Sequence, residues 1–406
     1  MFEPYTDWAI IAIFIIIYGL IAGRLGRTWI SDAIVFVFTG LLLGPFGLGI
    51  LQFNVTSENL KIIVELTLAL ILFTDAANAN LGVLKNSLRL PWRLLAMGLP
   101  LTILLGFGLS TLLFPEFSTV EAGLLAVMLA PTDAALGKAV VTNPQVPDKI
   151  REDLNIESGL NDGICVPLLF VLLATTTQEA ANHSTFSLVT TLFLEEIGIG
   201  VLVGASFSVM GTQLQQFCWK RDWVSQQWRP ALAIALAVAS FSTAQHLGGS
   251  GFIACFVGGL IFGGIVTKQQ KEKLLIPAEA TGDVLSLITW VAFGSSVVML
   301  ALRQPTWQAF LYGILSLTVI RMLPVFLVLF GMKLDLWTKL FVGWFGPRGL
   351  ASIVFAVIVL DAKLPHSREI VIIVTTTVVL SVVAHGLTAN PLANRYGQWI
   401  NRREAK

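Results

Sequence analysis

Apolar runs long enough to cross a lipid bilayer recur from one end of this chain to the other. The hydrocarbon layer is about 30 Å thick, and a helix of roughly 20 apolar residues crosses it. That layer holds no water to bond the backbone, so a crossing segment must satisfy its own amides as a helix or join a closed barrel. The runs here are continuous rather than alternating, which predicts helices. Thirteen spans are expected, at 8–23, 31–50, 60–81, 93–113, 119–141, 154–175, 188–212, 230–246, 251–267, 282–302, 308–330, 339–360 and 369–392. The expected fold class is an all-α polytopic membrane protein.

Little polar chain is left over. Only 13% of the 406 residues are charged, against about 25% in a soluble domain. Connections between spans are short, so no soluble domain is expected and the function should sit within the bilayer. The first run follows Glu3 and Asp7 rather than a basic stretch and has no small-residue cleavage site, which marks a span and not a secretory signal. A net charge of +1 predicts no nucleic-acid partner. The spacing of Cys165, Cys218 and Cys255 suggests neither a disulfide framework nor a zinc site. No cofactor is expected.

Lysine and arginine accumulate in cytoplasmic loops. With the N-terminus outside, the inner segments carry 20 of the 26 basic residues and the outer segments only Arg303, Lys363 and Arg368. Lys61, Arg321 and Arg348 fall within spans. The bias predicts an external N-terminus, a cytoplasmic C-terminus and an odd number of spans.

The two halves also resemble each other. Val37–Gly44 matches Phe256–Gly263, Ile71–Asn78 takes the place of Val291–Val298, and Ala130–Ala135 that of Gly346–Ala351. The offset is seven spans, so the halves would have opposite membrane orientation. Inverted repeats at about 8–175 and 230–392, joined by a linker helix at about 188–212, are therefore expected within one transmembrane domain. Transporters built this way place their substrate site near the midplane.

Charged side chains at that depth cost about 2.5–3.5 kcal/mol each on insertion scales, so they need partners, water or a function. In span five, Pro131 interrupts the helix and frees carbonyls near Thr132 and Asp133. Asp133 either caps the second half-helix or takes part in the site, and Thr132 offers a hydroxyl or a carbonyl to a cation. In span six, Ser158 and Asp162 share one helix face, with Glu157 and Asn161 on the adjacent strip. That gathers two acids and two neutral oxygen donors, which suits a hard cation. In span twelve, Arg348 follows Pro347 and requires a partner, with Glu157 and Asp133 as candidates. If Glu157 is neutralised, Asp162 remains as the acid for which a proton and a cation compete.

Other polar residues are weaker candidates: Glu65 with Lys61, Asp75, Glu195, Glu196 and Arg321. Each is either an access-path residue or a structural charge. His246 and His385 are expected near span ends, where a pH-sensing role competes with a structural one.

The segment Glu157-Ser-Gly-Leu-Asn-Asp162-Gly closely resembles the sixth-span motif of NhaP-type sodium/proton antiporters, prokaryotic relatives of the animal Na⁺/H⁺ exchangers. Pro131-Thr132-Asp133 and Pro347-Arg348-Gly349 look like that family's two crossed, unwound helices, an NhaA-like antiporter fold. The resemblance implies a homodimer in a bacterial inner membrane that exchanges Na⁺, or Li⁺ or K⁺, for protons by alternating access. It implies that Asp162, Ser158 and Thr132 are Na⁺ ligands, and that Glu157 pairs with Arg348 and reaches the ion through water. Asp133 would balance the dipoles of the broken helices. Relatives with a second acid in place of Asn161 tend to be electrogenic, so electroneutral one-for-one exchange is expected. The alternatives are a K⁺/H⁺ antiporter, a small-organic-anion carrier and a channel, the last without a recognisable filter loop. A fourth is an intramembrane protease, because Gly248-Gly-Ser250-Gly matches the rhomboid serine string. A glycine-rich turn accounts for that string more simply.

Overall fold

The computed structural model describes residues 4–26, 28–53, 58–79, 89–133, 136, 138–141, 143–176 and 185–404. Residues 80–81 of the third expected span, residues 134, 135 and 137 of the fifth, and Arg27, Lys85 and Lys406 of the charge count lie outside them.

Every regular element among the described residues is helical. In chain order these are α1 (Pro4–Leu25), α2 (Asp32–Leu43), α3 (Glu58–Asn78), α4 (Leu90–Leu113), α5 (Thr119–Met128), α6 (Lys138–Val141), α7 (Asp148–Ala174) and α8 (Thr185–Lys220). Then follow α9 (Arg229–His246), α10 (Gly251–Ile265) and α11 (Lys268–Ala292), which continues through a π turn at Phe293–Val297 to Arg303. The last are α12 (Trp307–Leu317), α13 (Val319–Val328), α14 (Leu336–Trp344), α15 (Leu350–Asp361) and α16 (Ser367–Glu404). Among the described residues, seven helices are long and apolar enough to cross a membrane, and four shorter ones are apolar. Each of the thirteen expected segments carries helix.

The boundaries differ from expectation where chemistry other than hydropathy sets them. The second helix ends at Leu43 instead of 50, because Gly44-Pro45 follows and proline disfavours helix in the residue before it. α7 starts at Asp148 rather than 154, since its first turns are charged but contain no breaker. α16 runs on to Glu404, well beyond 392, because its polar last turns hold no further proline after Pro391.

The helices divide between two compact units. One comprises Met1–Lys61, Arg89–Asn161 and Leu287–Lys406; the other comprises Ile62–Leu88 and Asp162–Ser286. In the first, Leu94, Leu154, Val325, Phe341, Phe345 and Ala393 form part of a common core that gathers α4, α7, α13, α14 and α16. In the second, α8, α9 and α10 meet through Val203, Ala244 and Ala254. Lipid supplies no hydrophobic drive between helices, so close van der Waals contact of small residues does the packing.

Candidate functional site

The site begins with two helix breaks in the first unit. α5 ends at Met128, and Leu129–Asp133 leave the helical path around Pro131. α14 ends at Trp344, and Phe345–Gly349 leave the helical path around Pro347 before α15 begins. Not every proline breaks its helix: Pro167, Pro277, Pro324 and Pro391 all lie inside continuous ones. Each break leaves a helix C-terminus with bare carbonyls and a helix N-terminus with bare amides.

The two breaks satisfy each other. Asp133 donates its amide to the Pro347 carbonyl (2.8 Å), and its Oδ2 accepts from the Leu350 amide (2.8 Å) at the start of α15. α15 has Gly349 at its N-cap and no cap of its own, so the carboxylate supplies one from across the crossing. Oδ1 of Asp133 also accepts from the Leu136 amide at 3.3 Å. In return, Arg348 Nη1 donates to the carbonyls of Ala130 (2.6 Å) and Pro131 (3.0 Å), and Ser352 Oγ to that of Met128 (2.7 Å). A negative charge thus faces the positive end of α15, and a positive charge the negative end of α5. The approach is close: a Cβ on Gly349 would stand 1.9 Å from Asp133 Oδ2. Asp133 thus caps the opposite half-helix and also holds the amide three residues on in its own segment.

Glu157 has a different partner from the expected one. Both its oxygens accept from Arg321, at 2.6 and 2.8 Å, and the two side chains are 3% and 4% exposed. The Glu157–Arg348 pairing is therefore replaced by Glu157–Arg321. The reason is local. Arg348 emerges beside the bare carbonyls of α5, whereas Arg321 reaches Glu157 from α13. Gly346 leaves the room, since a Cβ there would lie 2.3 Å from Arg321 Nε.

Next along α7, Ser158 Oγ donates to the Thr132 carbonyl, and Asn161 Nδ2 donates to Thr132 Oγ1 at 2.7 Å. Both oxygens of Thr132 are thus held on the α7 face. Asn161 Oδ1 is buried and accepts no hydrogen bond from any described residue. A cleft with room for about one water lies against Thr132, Asp133, Ser158 and Pro347. Asp162 follows Asn161 in the same unbroken helix, is 8% exposed, and lies one turn after Ser158 on its face.

Two residues given little or no weight by sequence stand out. His385 is fully buried in the middle of α16, not near a span end, because that helix is 38 residues long. Its Nε2 lies 2.9 Å from the Trp344 carbonyl, and its Nδ1 lies 3.1 Å from the Ser381 carbonyl and 3.2 Å from Ser381 Oγ. That hydroxyl accepts from the Arg348 amide (2.7 Å). The histidine closes the end of α14 and holds the Arg348 backbone. Asp153 is 4% exposed, with Oδ2 unpartnered among the described residues. It stands one turn before Glu157, the single clue in the sequence that pointed to it.

The weaker candidates are dispersed. Lys61 pairs with Asp361, Glu65, Asp75 and Glu196 are half-buried, and Glu195 and His246 are exposed. Ser250 is a helix cap: its Oγ accepts from the Ile253 amide at the start of α10, after a turn through Gly248 at φ +80°.

Comparison with known proteins fits this arrangement. The family described as sodium/hydrogen exchanger, transmembrane, matches residues 9–395. The chain belongs to the sodium/hydrogen exchanger family. Among its relatives, the K(+)/H(+) antiporter NhaP of Alkalimonas amylolytica is 25% identical over 380 residues, covering 93% of this chain and 64% of that protein. The K(+)/H(+) antiporter NhaP2 of Shewanella oneidensis is 25% identical over 392 residues, covering 92% and 64%. A probable Na(+)/H(+) antiporter of Schizosaccharomyces pombe is 23% identical over 368 residues, covering 86% and 48%. The chain thus spans less than two thirds of the length of each of these relatives. The fold is that of the sodium proton antiporter MjNhaP1 from Methanocaldococcus jannaschii, with a TM-score of 0.76, 20% identity and coverage of 95% and 97%. A second structure of that protein gives 0.78, 19%, 97% and 98%. The exchanger-family fold is therefore common to chains that share few residues with this one.

Proposed function

We propose that this exchanger-family chain is a secondary active antiporter that trades a monovalent cation, Na⁺ first, for a proton. The observation that carries the reading is the polar set at Thr132, where Ser158 and Asn161 hold its two oxygens and Asn161 Oδ1 is left unpartnered among the described residues. A buried acceptor left bare costs about 1–3 kcal/mol, which a bound cation offsets. Glu157 and Asp133 are both engaged, one by an arginine and one by helix amides. Asp162, which shares a helix face with Ser158, is the carboxylate assigned to the transported ion. Cation and proton occupy it in turn, so exchange is obligatory. Asn161 is neutral, so each half-cycle carries a single charge and the exchange is electroneutral.

K⁺ is the second reading. It is favoured by the K(+)/H(+) names of the two bacterial relatives, and ligand type alone does not separate the alkali ions. The inverted-repeat organisation, the external N-terminus with a cytoplasmic C-terminus, the bacterial inner membrane and a homodimer belong to the same reading. The corresponding positions of the two proline breaks support the repeats. The charge bias supports the orientation.

Proteoliposomes loaded with a pH dye test it. A jump in Na⁺, Li⁺ or K⁺ should move protons, with the most effective ion naming the substrate. Asp162→Asn, which keeps the shape but not the charge, should abolish the signal. A wild-type rate in that variant overturns the assignment.

A further inference from the structure

Glu157 is not the last acid on its face of α7. Lys149, Asp153, Glu157 and Asn161 recur every fourth residue, so they form one line along the helix from its N-terminal end to the site. Asp153 is as buried as the Glu157–Arg321 pair, at 4% exposed. Its Oδ2 has no hydrogen-bond partner among the described residues, and the charges acting on it are Lys149 and Glu152 of its own helix. Among the described residues it caps no helix end and bonds no backbone amide, so no structural duty seen there accounts for it. An unpaired carboxylate in a membrane helix is costly and is retained where an ion or a proton passes.

We infer that Asp153 is the inner-side relay of this exchanger: it takes the cation or proton from the cytoplasmic water at the start of α7 and hands it along that face toward Asn161 and Asp162. The inference rests on the antiport reading and its orientation. The step is balanced. A proton taken up from water is released to the next acceptor on the path, and a cation enters and leaves unchanged, so the carboxylate ends each passage as it began. Glu157 is unsuited to this task because Arg321 holds both its oxygens. Asp153 acts through the binding residues and is not itself one of them.

Sidedness separates this role from a structural one. Exchange is measured in inside-out and right-side-out vesicles for the wild type and for Asp153→Asn, Asp153→Ser and Asp153→Glu. Removing one nearby unscreened charge should raise the half-saturating cation concentration at the inner face about ten-fold. The outer-face value and the maximal rate should stay as in the wild type, and Asp153→Glu should restore the inner face. The inner-face value should also depend less on inner pH in the Asn and Ser variants. No change at either face, or an equal change at both, overturns the inference. So does failure of both neutral variants to fold, as judged by thermal unfolding in detergent, because Asp153 is then a folding residue. Wild-type vesicles that exchange no cation at all overturn the antiport reading itself, a result distinct from any of these.

Discussion

At the scale of the residue, the central finding is a change of partners. Two arginines in apolar spans and three acids near them allow several pairings, and depth along a span does not rank them. What ranks them is the third dimension: Arg348 is claimed by carbonyls that the Pro131 break lays bare, and Arg321 takes the acid. Breaking such a pair by removing one member costs about 3–5 kcal/mol, because the other charge stays buried and alone. Glu157→Gln and Arg321→Met should each lower the detergent unfolding temperature strongly. The double variant should be less destabilised than the sum of the two, a coupling that a double-mutant cycle reads directly. Spacing put Ser158 and Asn161 on adjacent strips of one helix, and Pro131 marked the break at Thr132, but spacing did not show that the two segments meet. His385 was not, since its depth depends on where α16 ends, and that helix outruns its apolar stretch.

At the scale of the element, each broken helix ends in groups supplied by something else. Asp133 serves α15, Arg348 serves α5 and His385 serves α14. Proline positions announced the breaks, but nothing in the local sequence announced which residue would close which end, because the bonds of Asp133 and Arg348 join positions more than 200 apart and that of His385 joins positions 41 apart. Gly349 tests the closeness of the crossing. Gly349→Ala drives a methyl group against Asp133 and should destabilise by roughly 1–3 kcal/mol, with further loss from the displaced cap. Gly108→Ala in α4 is the control. Nothing lies within 4 Å of a Cβ there, so the change should be neutral or stabilise by up to about 1 kcal/mol. Thermal unfolding of the two variants side by side distinguishes a crowded crossing from a general intolerance of alanine.

At the scale of the whole molecule, the helical class follows from apolar length, which is why it was legible without coordinates. The division into units was not, because it groups helices that are distant in sequence. Charge accounting is the property that belongs to this scale. With Asn161 neutral, exchange should proceed at the same rate whether or not an ionophore imposes a membrane voltage. Asn161→Asp adds one charge to the moving set, and one charge across 100 mV is worth about 2.3 kcal/mol. A voltage-dependent rate in that variant, measured in the same liposomes, is the expected outcome. The contact between Gly349 and Asp133 has a consequence for how such a chain drifts over generations. Neither position is free to change first: a side chain at 349 is intolerable while 133 keeps its carboxylate there, and a shortened 133 strands the amide at 350. Descendants should hold both or exchange both together, a linked inheritance that aligned sequences of close kin will either display or deny.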